Sequence, residues 1–417
     1  MVKRKRSSAP LSSKRSRKRI PVAIPHATEK GKIFICGSND ASQLGMNGDV
    51  EELNKLTLVE SLKDKEFTDV VCGGMHSIAI DFEGTLYSWG CNDEGALGRQ
   101  GEENIPAPVP CGDATIVKVA CGDNVSMGLT ENGQIYSWGT YRGNKGAFGF
   151  SIGISKRTAP MLHPVLGTET VIDIAAGANH SLALTNRGRV YAWGYGAQGQ
   201  LARRISPRFE KNWLRHDSIG LKKVKLIGAG SYHSLAVTTD NKLYAWGLNN
   251  YKQCCDDESQ FIFKPMLVSL PENFGEIVSV QGGEHHTLIL TKNGEVYAYG
   301  RGDAYQLGLQ QDVLDSLKVT SSNSAFRFYV PTPTRISGLE KIVSVSAGPE
   351  YGLACSEDGR SYCWGYNSGN AIGNGSDRDE PTPRLQVFEG VGDKQVLRLS
   401  AGGQHSLCLA KESSSYI

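Results

Sequence analysis

No run of apolar residues in this sequence approaches the ~18 that a membrane-crossing helix needs, and the first twenty residues lack the apolar core of a secretory signal. An intracellular protein is the expectation. Paired cysteines are missing as well: the ten cysteines are scattered, none forms Cys-x-x-Cys, and the chain is too long to depend on disulfide staples. Cys254 and Cys255 are adjacent, and neighbouring strand residues point to opposite faces, so no metal site is expected. A P-loop and a dinucleotide-binding fingerprint are absent too, which argues against a bound cofactor and against an enzyme that makes or breaks bonds. Acidic residues are missing from one place only. Residues 1–20 hold nine cations, Lys3, Arg4, Lys5, Arg6, Lys14, Arg15, Arg17, Lys18 and Arg19, and no carboxylate. The formal net charge of +2 therefore averages a basic tail with an acidic body.

Glycine is abundant instead, 49 of 417 residues, well above the usual ~7%. It recurs in a pattern: a glycine, two variable residues, His-Ser, alternating apolar residues, a turn, then a β-rich run closing on Trp-Gly. CGGMHSIAIDFEGTLYSWG (72–90) and AGANHSLALTNRGRVYAWG (176–194) are two of six complete copies. AGGQHSLCLA (401–410) has only the first half and KIFICG (32–37) only the second, so together they make a seventh. The closing glycines stand at 37, 90, 139, 194, 247, 300 and 365. Period-two alternation joined by a short turn reads as an antiparallel hairpin, and about 50 residues per copy hold one propeller blade. Complementary half copies at the two ends are how a propeller ring closes. The fold class is therefore all-β: a seven-bladed β-propeller over 31–410, its N-terminal strand completing the last blade. A basic disordered tail, 1–30, precedes it, and a short tail, 411–417, follows. Trp-Gly in place of Trp-Asp argues against the WD40 repeat.

Repetition separates what a blade needs from what it does not. The histidines of Gly-x-x-His, at 76, 180, 233, 286 and 405, read as hydrogen-bonding partners that tie strands together, and the repeated tryptophans as packing. Departures carry more information. From the closing glycine to the end of the next turn the spacing is eight residues in six copies but ten between Gly139 and Gly149. The inserted loop contains Gly143, Asn144 and Gly146, able to take the positive φ of a tight hairpin, and reads as a rigid projecting wedge. His285 precedes the register residue His286, and no other copy has histidine there. The segment 203–223 is unusually charged, and the long connection 309–337 looks like a solvated excursion.

The copies of Gly-x-x-His-Ser and Tyr-x-Trp-Gly-x-Asn-x-x-Gly-x-Leu-Gly resemble the regulator of chromosome condensation repeat over residues 31–410. With a basic tail ahead of the propeller, and CNDEGALGR (91–99), TYRGNKGAFG (140–149) and GGEHH (282–286) in the expected blades, the chain is most similar to chromatin-bound members of that family, which exchange guanine nucleotide on the small GTPase Ran. The resemblance implies a nuclear protein, active in nucleocytoplasmic transport and mitosis, one of whose faces grips Ran and ejects its nucleotide. The family's wedge falls on Thr140, Tyr141, Arg142, Gly143, Asn144, Lys145, Gly146, Ala147 and Phe148, with Arg142 and Lys145 at its tip. Asp40, His76, Asp123, Arg203, His285 and His405 match further positions of the Ran face, although Ala202 replaces the glycine usual before Arg203. Where the family carries Asp, this chain has Asn179, so restoring Asp is expected to tighten or speed the Ran interaction. The family also suggests a loop that puts an arginine into the acidic patch of the nucleosome, for which Arg208 and Arg215 are the candidates.

The tail reads by its own physics. KRKR, a serine-rich spacer and KRSRKR form a bipartite nuclear localisation signal, which a nuclear import receptor would bind, and a DNA-binding arm that releases counterions from phosphate. The alternative from another class is a non-catalytic propeller adaptor or chromatin scaffold sharing only the repeat. An adaptor needs neither the inserted wedge nor the extra histidine.

Overall fold

The computed structural model describes residues 27–412 except 47, 164–168, 255–257, 318–327 and 391. The nine tail cations, Cys255 and the middle of 309–337 lie outside the described residues. Seven four-stranded antiparallel sheets form the ring. Blade one is typical: Phe67–Cys72, His76–Asp81, Leu86–Gly90 and Ala107–Pro108, ordered outward from the central channel. The inner strands of all seven blades line that channel, where Lys118 of blade two pairs with Asp173 of blade three.

The ring closes with two strands from each end of the chain. In blade seven, Lys394–Ala401 and His405–Glu412 are followed outward by Lys32–Ser38 and Glu52–Leu58. The seam pairs Phe34 with Cys408 and Gly37 with His405. The half copies of the repeat thus meet as expected, and the N-terminal contribution is two strands where the sequence pattern suggested one. The connection 309–337 contains a one-turn-and-a-half helix, Gln311–Ser316, before the outer strand Tyr329–Arg335 of blade five.

The conserved spacing inside each copy now has physical causes. All seven closing glycines hold φ between +95° and +120°, a region that side chains disfavour. In Gly-x-x-His the imidazole folds back over the glycine: a Cβ on Gly177 or Gly230 would lie 2.2 Å from the histidine ring. Held this way, the ring reaches the following blade. His76 Nε2 meets Ser126 Oγ at 2.8 Å, His180 meets Ser234 at 2.8 Å, His233 meets Thr287 at 2.9 Å and His405 meets Ser77 at 3.0 Å. Tyr351 makes the same clip to Ser406, 3.1 Å. These bonds tie blade to blade, beyond tying strands within one blade. The second clip is the tryptophan. Trp89, Trp138, Trp246 and Trp364, all fully buried, donate Nε1–H to the carbonyls of Gln43, Ala96, Gln200 and Gln306 in the preceding blade.

Candidate functional site

Successive antiparallel strands send alternate connections to opposite faces of the ring. One face receives every connection from first to second strand, the Gly-x-x-His loops, and every connection from third to outer strand. Asp40, Asp123, Asn179, His285, the wedge, Arg203, Arg208 and Arg215 all lie in those two sets of loops. The topology therefore gathers onto one face residues spread over some 250 positions of chain, roughly the span from Asp40 to His285.

The inserted loop is a hairpin. Tyr141–Gly143 pairs antiparallel with Gly146–Gly149, and Asn144 and Lys145 form its exposed tip. Only Gly146 of the three turn residues takes positive φ, +97°. Gly143 is required for another reason: a Cβ there would sit 2.6 Å from the Tyr195 ring, on which this strand lies flat. Three wedge residues are buried, the first of them Thr140, whose hydroxyl donates to the Ser155 carbonyl at 2.6 Å. Tyr141 is fully buried, and its hydroxyl contacts Ser181 Oγ at 2.8 Å, taking the role of the clip histidine that blade two lacks because Val125 occupies that position. Phe148 packs edge-on to Tyr195, ring centroids 5.2 Å apart.

The outward residues form a network. Asn179 Oδ1 accepts the Arg142 backbone N–H at 2.6 Å, while its Nδ2 donates to Asp123 Oδ2 at 3.4 Å. The Arg142 guanidinium reaches across to Glu94 of blade one, 3.2 Å. Asn179 is thus a bridge that fixes the base of the wedge, a role that its amide fills and a carboxylate would fill only in part. Crowding by adjacent loops raises the Asp123 carboxyl pKa, against the opposing pull of Asn179 and Arg142.

His285 sits in a second group. Its ring lies 5.0 Å from that of Tyr251 and 3.6 Å from a Glu284 carboxylate oxygen. Arg301 bridges Asp303 and Glu350 beside it, the latter at 2.7 Å. Burial, then the Arg301 charge, lower the His285 pKa to about 4, so the ring is neutral at pH 7. Asp40 is exposed on the same face.

Three expected contact residues lie elsewhere than on the open surface. His76 and His405 are 1% and 0% exposed, and burial lowers them to about 4 and about 3. They are blade clips beneath the face, a correction to their expected place on the rim. Arg203 is half-buried, donating to the carbonyls of Ala192, Trp213 and Arg215 at 2.8–2.9 Å. Arg99 closes the equivalent loop of blade one in the same manner, bonding the carbonyls of Ser88, Glu102 and Ile105. Arg203 is therefore a loop staple, whereas Arg208 and Arg215 are exposed.

Glu284, Arg301, Glu350 and Tyr232 also border this face and escaped the sequence reading. The signal was present. Taken as a pair, the two variable positions of Gly-x-x-His differ from copy to copy, so His285 is one member of a set that includes Asp123, Asn179, Tyr232, Glu284 and Glu350.

Residues 32–408 match the family model described as RCC1-like domain. Guanine nucleotide exchange factor SRM1 of Saccharomyces cerevisiae is 33% identical over 422 residues, covering 90% of this chain and 86% of that protein. The crystal structure of Prp20p from Saccharomyces cerevisiae, described with its binding to Gsp1p and histones, superimposes with a TM-score of 0.89 at 33% identity, covering 94% of both chains. Yeast RCC1 (Prp20) bound to Kap60 does so with the same score and identity, covering 99% of this chain and 97% of that one.

Proposed function

The chain belongs to the RCC1-like family of propellers, and we infer from this membership and from its wedge-bearing face that it is a chromatin-bound guanine nucleotide exchange factor for Ran. It acts without bond chemistry, and it is nuclear. It binds Ran, histones and an import receptor. The observation that carries the mechanism is the hairpin Tyr141–Gly149, rooted in the ring at Tyr141 and Phe148 and exposed at Asn144 and Lys145.

Exchange is linkage: if propeller and nucleotide oppose each other's binding to the GTPase, each weakens the other by the same factor. A rigid tip carrying Lys145 suits insertion where the GTPase holds phosphate. Arg142 stands behind it at the wedge base, paired to Glu94, and not at the tip where the resemblance put it. Asp40, Asp123 and Asn179 offer an acidic and polar seat for a basic partner surface, which speeds encounter. His285 presents a neutral ring to the partner. His76 and His405 support these loops from below. Arg208 and Arg215 meet the acidic patch of the nucleosome, and the cations of residues 1–20 bind DNA phosphate in addition to the import receptor.

Release of labelled GDP from Ran by catalytic amounts of the protein tests the main reading. Acceleration is expected, and deletion of Gly143–Gly146 should abolish it while leaving the thermal midpoint of the ring intact. No acceleration by the intact chain would leave the adaptor reading. Removing residues 1–20 should weaken DNA binding and flatten its salt dependence, whose log–log slope is near −0.9 per phosphate contacted; an unchanged slope removes the tail from the DNA interface.

A further inference from the structure

At six of the seven blade junctions, the carbonyl two residues before the end of the third-to-outer turn is a fixed anchor for the next blade. Gln43, Ala96, Gln200, Gln253, Gln306 and Ala371 each accept a bond there from a serine, threonine or tryptophan. All six residues are no more than 2% exposed. Their counterpart in the wedge is Ala147, and it is exposed. The insertion has carried this residue to the surface. Ser181 and the fully buried Trp193 turn to the Tyr141 hydroxyl instead. The returning strand of the wedge, Gly146–Gly149, has therefore lost the anchor that holds every equivalent turn.

A different element holds it. Tyr195 and the 3-10 segment Pro207–Leu214, both in the connection leaving the third strand of blade three, pack along its inner side. Trp213 lies 5.9 Å from Phe148 and 5.4 Å from Tyr195, centroid to centroid. Lys211 donates to the Phe148 carbonyl and places its ammonium 4.2 Å from the Phe148 ring centroid. Trp213 is in turn fixed by Arg203, through its carbonyl.

We propose that Lys211 and Trp213 are positioning residues for exchange, aiming the wedge by replacing its missing blade anchor. This rests on the exchange reading above. Neither residue reaches the tip, so both act through Phe148. Their removal leaves the ring closed and the partner-binding residues in place, but lets the returning strand wander. A misplacement of about 1 Å at a reacting geometry is enough for large rate losses.

Two measurements test it. In steady-state exchange on Ran, Trp213→Ala should lower kcat about tenfold with KM changed less than about twofold, Trp213→Phe should recover most of the loss, and Phe148→Ala/Trp213→Ala should be no slower than either single variant. In the free protein, amide hydrogen exchange of residues 143–149 should accelerate in Trp213→Ala and in Lys211→Ala, with the blade strands unchanged. Unaltered protection at 143–149, or a double variant whose losses multiply, overturns the proposal. Absence of exchange activity in the unmodified chain would instead sink the reading beneath it, and the hydrogen-exchange arm would still decide whether the segment holds the wedge.

Discussion

Asn179 shows how a single amide can be worth more than a charge. The family resemblance puts a carboxylate here, and by charge alone Asn179→Asp should favour a basic partner. The geometry adds two local facts: Oδ1 holds the Arg142 N–H at 2.6 Å, and Nδ2 is 3.4 Å from the Asp123 carboxylate. Aspartate would keep the first interaction and turn the second into a repulsion between two carboxylates, raising the pKa of one of them. Asp123 is already raised by desolvation, although its exposure to solvent screens part of the added repulsion. The expected result for Asn179→Asp is unchanged kcat, because the wedge base remains held, with a loss of stability at pH 7, at most about 1 kcal/mol after solvent screening, that lessens at acidic pH as the pair takes up a proton. Asn179→Ala loses both bonds and should slow exchange. Chemical denaturation at pH 7 and at acidic pH checks the first expectation. An Asp variant as stable as the parent at pH 7 would show that the two side chains do not interact.

At the scale of elements, the blades were legible because each must satisfy the same constraints seven times. Repetition exposed the Gly-x-x-His unit, and the structure supplies its reason, a ring folded over a glycine and clipped to the next blade. The exceptions are equally physical. His286 finds no clip partner, because Gly352 stands where the serine would be, and a Cβ there would lie 2.4 Å from Trp364. The wedge was legible as an insertion of two residues, but its supports were not. Tyr195, Lys211 and Trp213 contact it across 47 to 65 positions of sequence, with no periodicity to mark them. Arg203 misled for the same reason: a basic residue in a charged loop looks like a contact for a partner, and only the three carbonyls around it reveal a staple. The short helix Gln311–Ser316 had no sequence signal, being too brief for an apolar face to emerge.

For the whole molecule, the histidines make one collective prediction. Eight of the nine are depressed below the ordinary 6.5: His76, His163 and His285 to about 4, His180, His233, His286 and His405 to about 3, and His216 to about 2, in each case chiefly by burial. Between pH 6.5 and 4 the unfolded chain therefore binds more protons than the ring does. Stability is fully present above 6.5 and falls as the pH drops, by up to about 1.4 kcal/mol per pH unit for each extra proton taken up on unfolding. The raised carboxyls of Asp69, Asp123 and Glu284 act with the opposite sign, since the folded state takes their protons first, but they are fewer than the histidines. The urea midpoint should consequently decline steeply from pH 7 to pH 5.5, and a flat profile would mean that the clips are not buried neutral. Exchange should behave differently over the same interval. Among the described histidines His285 alone lies in the open loops of the proposed partner face, and it remains neutral throughout, so the rate measured before unfolding intervenes should show no inflection near 6.5 that His285→Asn or His285→Gln removes. The molecule would then lose its fold to acid before the His285 ring had titrated.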